Sequence, residues 1–572
     1  MRTDPSFVWK QAARNGLIAG GVAILVSLVG LVEAFGDDYI IRNVIAVGEL
    51  ILLSPVFLFA YLSIRGNPGQ SRASQVGTTA LIGLVAGLLL TLLVAIGSVT
   101  NIRVMFVNAS PALFDILTRG VPFPLGALVP PIQGILAAWI ALGITLIPDR
   151  FRKPILQGIL WVIILGTLRD QMLLISVFQE EPIYTFLKSY IFAQSGLSLI
   201  GALVIFVLAA GLSYYSSTRQ KVTSVTRTPQ RQKATRIILF MVLGVIIAIL
   251  PQTLGLFYTE ILDSTGLFIM MGLGLNIVVG FAGLLDLGYV AFYAIGAYTM
   301  GVLTSTGLGL YSLTFWQALP FALLAAWLTG ILLGLPVLRM RGDYLAIVTL
   351  GFGEIIRLLA LSDALRGTLG GTQGIQSIAQ PQIGPVRFDS IQSLYYLIVI
   401  GIIIVAFVAW RLKESRLGRS WMAIREDEDV AQAMGINLVM TKLLAFSTGA
   451  LFAGLAGALG AAKLTSVYPH SMTFLVSINV LVLIIIGGMG SIPGVFVGAL
   501  VLVGLPGILT EFQEYRLWFY GLALVFMMLQ RPEGLWPEAR RKLELHEVEA
   551  EGLVPIEEMA PAATFTESPR DR

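Results

Sequence analysis

Residues 425–429 read Arg-Glu-Asp-Glu-Asp, five consecutive charges between two apolar stretches, 395–410 and 443–462. A cluster of that density has polar work to do at a surface. Acids at 426–429 suit a helix N-terminus, where backbone amides attract negative charge. Val430, Ala433 and Met434 then share one stripe at helical spacing, and Gly435 supplies a C-terminal stop. The pattern predicts a short amphipathic helix that presents charge and a small greasy stripe to a partner, or that stands alone as a solvated loop helix.

A second group lies in GFAGLLDLGYVAFYAIGAY (280–298), where Asp286 is an acid between apolar flanks. A carboxylate there either serves a substrate or a proton, or caps the helix that starts near Leu287 by accepting its orphan amides. Gly280, Gly283 and Gly288 would let the backbone break, as half-helices in transporters do. Asn276, Tyr289, Tyr293 and Tyr298 add polar tips to apolar walls, which suits a pathway for a small, partly apolar solute or simple packing. Gly490, Gly494 and Gly498 form a GxxxGxxxG ridge for close helix approach, between subunits or within the chain. Glu354 and Arg357 stand three apart, as a local ion pair would, and Arg169 beside Asp170 reads as a second pair.

No catalytic constellation accompanies these residues. There is no cysteine, and the two histidines, His470 and His546, stand apart, so neither disulfides nor a metal cluster are expected. A phosphate-binding G-x-x-x-x-G-K-[ST] loop is also missing; GALGAAKLT (457–465) has the wrong spacing. No cofactor, metal or nucleic-acid partner is expected.

The elements that hold these groups follow from composition. Of 572 residues, 56% are hydrophobic and 13% charged, with a mean hydropathy of +0.83; a soluble domain is about a quarter charged. Apolar runs of about 20 residues recur, each long enough to cross a bilayer as a helix, and ten-residue alternating strands of a barrel are absent. The fold class is an all-α polytopic membrane protein. Spans are predicted near 16–35, 43–64, 77–98, 129–147, 155–177 and 192–215, about six in a first region, 1–216. About ten more lie near 236–257, 264–283, 289–306, 315–338, 343–361, 392–411, 440–462, 471–489, 492–510 and 515–530, in a core of 237–536. A basic linker, 217–236, separates the two regions, and an acidic tail, 537–572, reads as disordered.

Lysine and arginine set the orientation. With the N-terminus cytoplasmic, fourteen cations of residues 1–236 fall on inside segments and four on outside loops. The same alternation puts 411–442 and the C-terminus inside. The basic N-terminus lacks a small-x-small cleavage site and reads as an uncleaved first helix. The outside loop 362–390 is long, either an ordered docking surface or a connector.

LGRSWMAIREDEDVAQAMGIN (417–437) resembles the cytoplasmic coupling segment of ABC-importer permeases, specifically the LivM-type subunit of branched-chain amino-acid importers. The importer pattern Glu-Ala-Ala, three residues, Gly falls on Asp429, Val430, Ala431 and Gly435, and the first two depart from it. GLNIVVGFAGLLDLGYVAFYAIGAYTMGVL (274–303), IIIGGMGSIPGVFVGALVL (484–502) and LQRPEGLWP (529–537) are similar to the same family, so the resemblance covers about 237–537. It implies a coupling helix (Arg425, Glu426, Asp427, Glu428, Asp429, Ala431, Gly435) seated on an ATP-binding subunit. It also implies two such subunits carrying the ATP, a second permease subunit, an external solute-binding protein and an inner-membrane location. A urea or short-amide permease of the same family is an alternative. An ion-coupled secondary transporter using Asp286, Glu354 or Asp170 is the rival from another class, and region 1–216 could be an assembly or regulatory module.

Overall fold

The computed structural model describes residues 5–42, 44–66, 71–100, 102–104, 106, 108–173, 175, 185, 187–193, 195–219, 244, 247–337 and 343–508, and then 517–518, 520–522, 524–525 and 534–537. Most of the linker and the tail therefore lie outside the described residues, as do part of the span predicted near 236–257 and most of that near 515–530. The chain forms two compact units, one ending at Ile247 and one starting at Ala248. Among the described residues, ten helices are long and apolar enough to cross a membrane, four in the first unit and six in the second.

In the first unit, α1 (Pro5–Val29), α2 (Val47–Gly66), α3 (Arg72–Val99) and α4 (Val129–Leu146) pack on one another. Small residues carry the contact, since apolar side chains gain nothing by leaving lipid for protein. The backbones of α3 and α4 touch where Gly83 faces Gly134. Two further helices, α5 (Asp149–Thr167) and α6 (Leu199–Arg219), pack together, with the Arg150 guanidinium stacked 5.5 Å from the Tyr214 ring and bonded to its hydroxyl. The side chain of Asp170, expected to pair with Arg169, lies outside the described residues.

The second unit is built around two buried helices. The apolar core of Leu256–Phe281 is 89% buried and that of Leu438–Leu464 is 72%, against 22–44% for the other four spans. The first comprises α7 (Leu256–Leu275) and a π-helical turn, Asn276–Phe281. Around the pair stand α8 (Val290–Thr304), α9 (Phe315–Val337), α10 (Asp343–Leu361) and α11 (Ile391–Glu414). Outside the bilayer-length helices, α12 (Arg416–Glu426) and α13 (Glu428–Ala433) form the charged island, followed by α14 (Leu438–Leu464), α15 (Phe474–Gly487) and α16 (Ile492–Ala499). Two predicted spans are shorter than a bilayer: α8 has 15 residues, and Ile492–Ile508 is interrupted by a π turn at Leu500–Gly504.

The expected glycine ridge at 490–498 is corrected in one respect. Gly490, at φ 83°, sits in the turn before α16, and only Gly494 and Gly498 belong to the helix. Both face the backbone of α15, at Gly487 and Leu483, so they serve packing within the chain. The loop 362–390 is ordered: short helical turns precede Ile375–Gln376, which pairs antiparallel with Ser466–Val467. These loops mark one end of the unit; the island and the turn at 488–491 mark the other.

The centre of the unit tolerates little bulk. A Cβ on Gly296 of α8 would overlap the backbone of Gly454 of α14, and one on Gly454 would meet Ala326 of α9. Gly296→Leu should cost about 1–3 kcal/mol or more through overpacking. Tryptophan-fluorescence melting in mild detergent checks this; an unchanged midpoint contradicts the close approach.

Candidate functional site

The site is the place where the buried helix α7 stops short. After the π turn the chain runs irregularly through 282–289 before α8 begins, with Gly283 at φ 70°. Inside a membrane such a break needs every freed amide and carbonyl satisfied, and side chains from distant segments do this. Thr349 Oγ1 on α10 accepts from the Leu287 N–H at 3.0 Å, and Ser477 Oγ on α15 accepts from the Val290 N–H at 2.9 Å. Asp286, fully buried, accepts from the Gly288 N–H through Oδ1 at 2.9 Å, while Oδ2 takes no hydrogen bond. The cap expected of Asp286 is therefore a local turn two residues long; the amide at the start of α8 belongs to Ser477. Gly288 lies against the Thr349 carbonyl, where a Cβ would overlap it, so no other residue fits.

The far side of the break is fastened to the island. The guanidinium of Arg425, at the end of α12, donates through Nη1 to the Gly280 carbonyl at 2.6 Å, and its side chain packs on Gly283. The last carbonyls of a helix lack intrahelical donors and carry partial negative charge, so a cation is well placed there. Lys413 reinforces the same end: its ammonium lies 5.6 Å from the centre of the Phe281 ring and donates to the Gly490 carbonyl at 3.3 Å. Asn276 closes the ring by accepting from the Gly490 N–H at 2.9 Å. The closing segment joins in, with the Leu535 and Trp536 amides donating to the Ile486 and Gly487 carbonyls.

The island itself is two helices joined at Asp427. That residue ends α12 and caps α13, its carboxylate accepting from the Asp429 and Val430 amides at 2.8 and 2.9 Å. Gly435, at φ 87°, ends the turn, with the Ile436 N–H reaching back to the Ala431 carbonyl. One face is anchored: Ala431 is buried, Trp421 is buried with Nε1 donating to the Thr441 carbonyl, and Glu428 pairs at 2.6 Å with the nearly buried Lys442. The other face is open, with Val430 58% and Met434 80% exposed and Ala433 and Glu426 also exposed.

Thus Gly283, with Gly280, meets the island through Arg425, while Asn276 is bonded to Gly490, and Asp286 and Gly288 lie further along the break. The three tyrosines do not gather with them around an open passage. Tyr289 is buried and its hydroxyl donates to the Gly449 carbonyl at 2.8 Å; Tyr293 lies against Gly460; the Tyr298 hydroxyl is buried without a hydrogen bond, further along α8. Glu354 and Arg357 form the expected pair. Sequence reading missed Thr349, Ser477, Lys413 and Lys442, ordinary residues whose partners are far away in sequence. It also missed Glu260, Asp263 and Lys463, although an acid pair three apart inside the run 256–275 was the same signal that singled out Asp286.

These features define a polytopic α-helical membrane protein with a discontinuous central helix clamped to a charged helical pair. The family model for the branched-chain amino acid transport system permease component matches residues 257–529, within the second unit. The high-affinity branched-chain amino acid transport system permease protein LivM of Salmonella typhimurium is 42% identical over 316 residues, 51% of this chain and 73% of its own length. The corresponding Escherichia coli protein is 40% identical over 338 residues, covering 55% and 78%. The LivH permease protein of the Salmonella system is 22% identical over 285 residues. The chain belongs to the branched-chain amino acid transport permease family. No solved structure matches it.

Ser477→Ala leaves the buried Val290 amide without its acceptor, a loss of about 1–3 kcal/mol. Thermal melting of the purified protein should show the drop, and Ser477→Thr should restore most of it; equal stability of all three forms contradicts the bond.

Proposed function

We propose that the chain is the transmembrane permease subunit of an ATP-driven importer for branched-chain or other neutral, hydrophobic amino acids. It lies in the inner membrane with both termini cytoplasmic. It works with a second permease subunit, two ATP-binding cassette subunits and an external solute-binding protein. The names of the relatives support the substrate class and the second permease subunit. The observation that carries the motor is the open face of α13: an apolar pair, Val430 and Met434, exposed on a helix whose opposite face is fixed to the unit. An exposed apolar stripe beside dense charge fits a protein partner better than water.

Mechanically, the partner pushes on α13, and α12 carries the displacement through Arg425 to the Gly280 carbonyl, where α7 breaks. Because the break is held by side chains from α10 and α15, movement there is shared with the helices that support it. The residues of this chain do no covalent chemistry. They transmit force and shape the passage, and ATP is hydrolysed by the partner.

The test is purification in mild detergent with mass identification of accompanying chains. A P-loop ATPase should accompany the wild type. Val430→Glu with Met434→Glu, both on the open face, should reduce it at least about tenfold with normal amounts of the permease in the membrane. Amino-acid uptake that collapses with an uncoupler while ATP is maintained, by a chain purified without an ATPase, would overturn the proposal in favour of ion coupling through residues such as Asp286 or Glu354.

A further inference from the structure

At the end of the second unit opposite the island, α7 and α14 are joined by ions the break does not use. Lys463 Nζ lies 2.8 Å from Glu260 Oε1 and donates to Ser264 Oγ at 2.9 Å. The Lys463 side chain is only 6% exposed, whereas that of Glu260 is 45% exposed. One turn along from Glu260, Asp263 is fully buried, and neither of its carboxylate oxygens has a hydrogen-bond partner. The cluster thus sets an ion pair beside a buried acid that has no hydrogen-bond partner, within an apolar helix pair.

Beside it is a cavity of about 270 Å³ between α7, α15 and the stretch 502–507. Its polar wall is Glu260, Ser264 and Asn479; its apolar wall includes Phe268, Leu502 and Val503. That is just under the usual range for ligand pockets, about 300–1,000 Å³, and so suits a ligand smaller than a drug. Lys463 does not itself line the cavity but is bonded to Glu260 and Ser264, which do, so charge of both signs adjoins an aliphatic wall, and this fits a molecule that carries an ammonium and a carboxylate on one carbon and a hydrocarbon branch on the next.

We propose that this cavity is a binding site for a neutral aliphatic α-amino acid within the permease chain itself, a reading that rests on the importer function above. The ligand ammonium sits against Glu260, whose carboxylate has acceptor room for a cation besides Lys463. The ligand carboxylate takes the Lys463 ammonium, with Ser264 and Asn479 as hydrogen-bonding neighbours, and the side chain lies on Phe268, Leu502 and Val503. The resident ion pair thus holds the site's shape when empty and opens to admit a zwitterion with no change in net charge. The chain would then discriminate among solutes itself rather than accept whatever is delivered.

The experiment is L-leucine binding to the full-length chain in lipid nanodiscs, without nucleotide, by scintillation proximity. Binding should be saturable. Isoamylamine, which lacks the carboxylate, and isocaproate, which lacks the ammonium, should compete at least about tenfold less well. Glu260→Gln with Lys463→Met removes one charge of each sign, leaving their sum unchanged, and should weaken leucine at least about tenfold. Val503→Trp fills the cavity, keeps the ion pair and should do the same, which covers a double variant that fails to fold. Leucine binding unchanged in Val503→Trp, or in a folded double variant, would overturn the site. So would the absence of saturable binding in a preparation that still performs ATP-driven leucine uptake, an outcome that leaves the importer function standing. Absence of both uptake and binding, in a preparation holding its ATPase, would overturn the two together.

Discussion

The hydrogen-bonding demand of an interrupted helix in hydrocarbon governs the second unit. A continuous helix satisfies its own backbone; one that stops at Phe281 and restarts at Val290 leaves amides and carbonyls that lipid cannot serve. Four are met by side chains: Thr349 and Ser477 from distant segments and Asp286 from the break itself for amides, and Arg425 for the Gly280 carbonyl. The break therefore dictates where α10, α12 and α15 must sit. It also explains the crowding of small residues there, because Gly288 reaches the α10 backbone only without a side chain.

A clamp made this way is polar, specific and limited in number, unlike the apolar contacts around it. Apolar helix surfaces slide on one another at little cost, whereas the Arg425 guanidinium leaving the helix end gives up a directional, charge-assisted hydrogen bond. Movement of the charged pair α12–α13 is thereby tied to the break more firmly than to the lipid-facing helices. This gives the proposed function a physical route from the open face of the island to the break in α7. It also accounts for an island with a neutral, dense charge content: Arg425, Glu428 and Asp427 are each committed within the chain, and the exposed remainder is available to a partner.

Much of this was legible in the sequence. The membrane class followed from apolar runs alone, and the break from three glycines and an acid where a helix should have continued. The Gly435 stop could be read because only a left-handed residue ends a helix that way without strain. What could not be read were pairings across long separations: Arg425 with Gly280 spans 145 residues and Ser477 with Val290 spans 187. No local signal distinguishes a serine that completes another helix from one that bonds its own turn. The tyrosines left two readings open for a related reason, since an amphipathic ring fills a core as readily as it lines a passage. The ion cluster at Glu260, Asp263 and Lys463 was legible in principle, because charge inside an apolar run is costly wherever it occurs.

Arg425 joins the island to the break. Hydrogen–deuterium exchange of the full chain in nanodiscs, comparing wild type with Arg425→Gln, tests it most directly. Faster exchange is expected across the amides of 280–290 in the variant, with α7 before Asn276 and the lipid-facing α9 unchanged. Identical protection at 280–290 in the two proteins, with the variant correctly inserted, would contradict it.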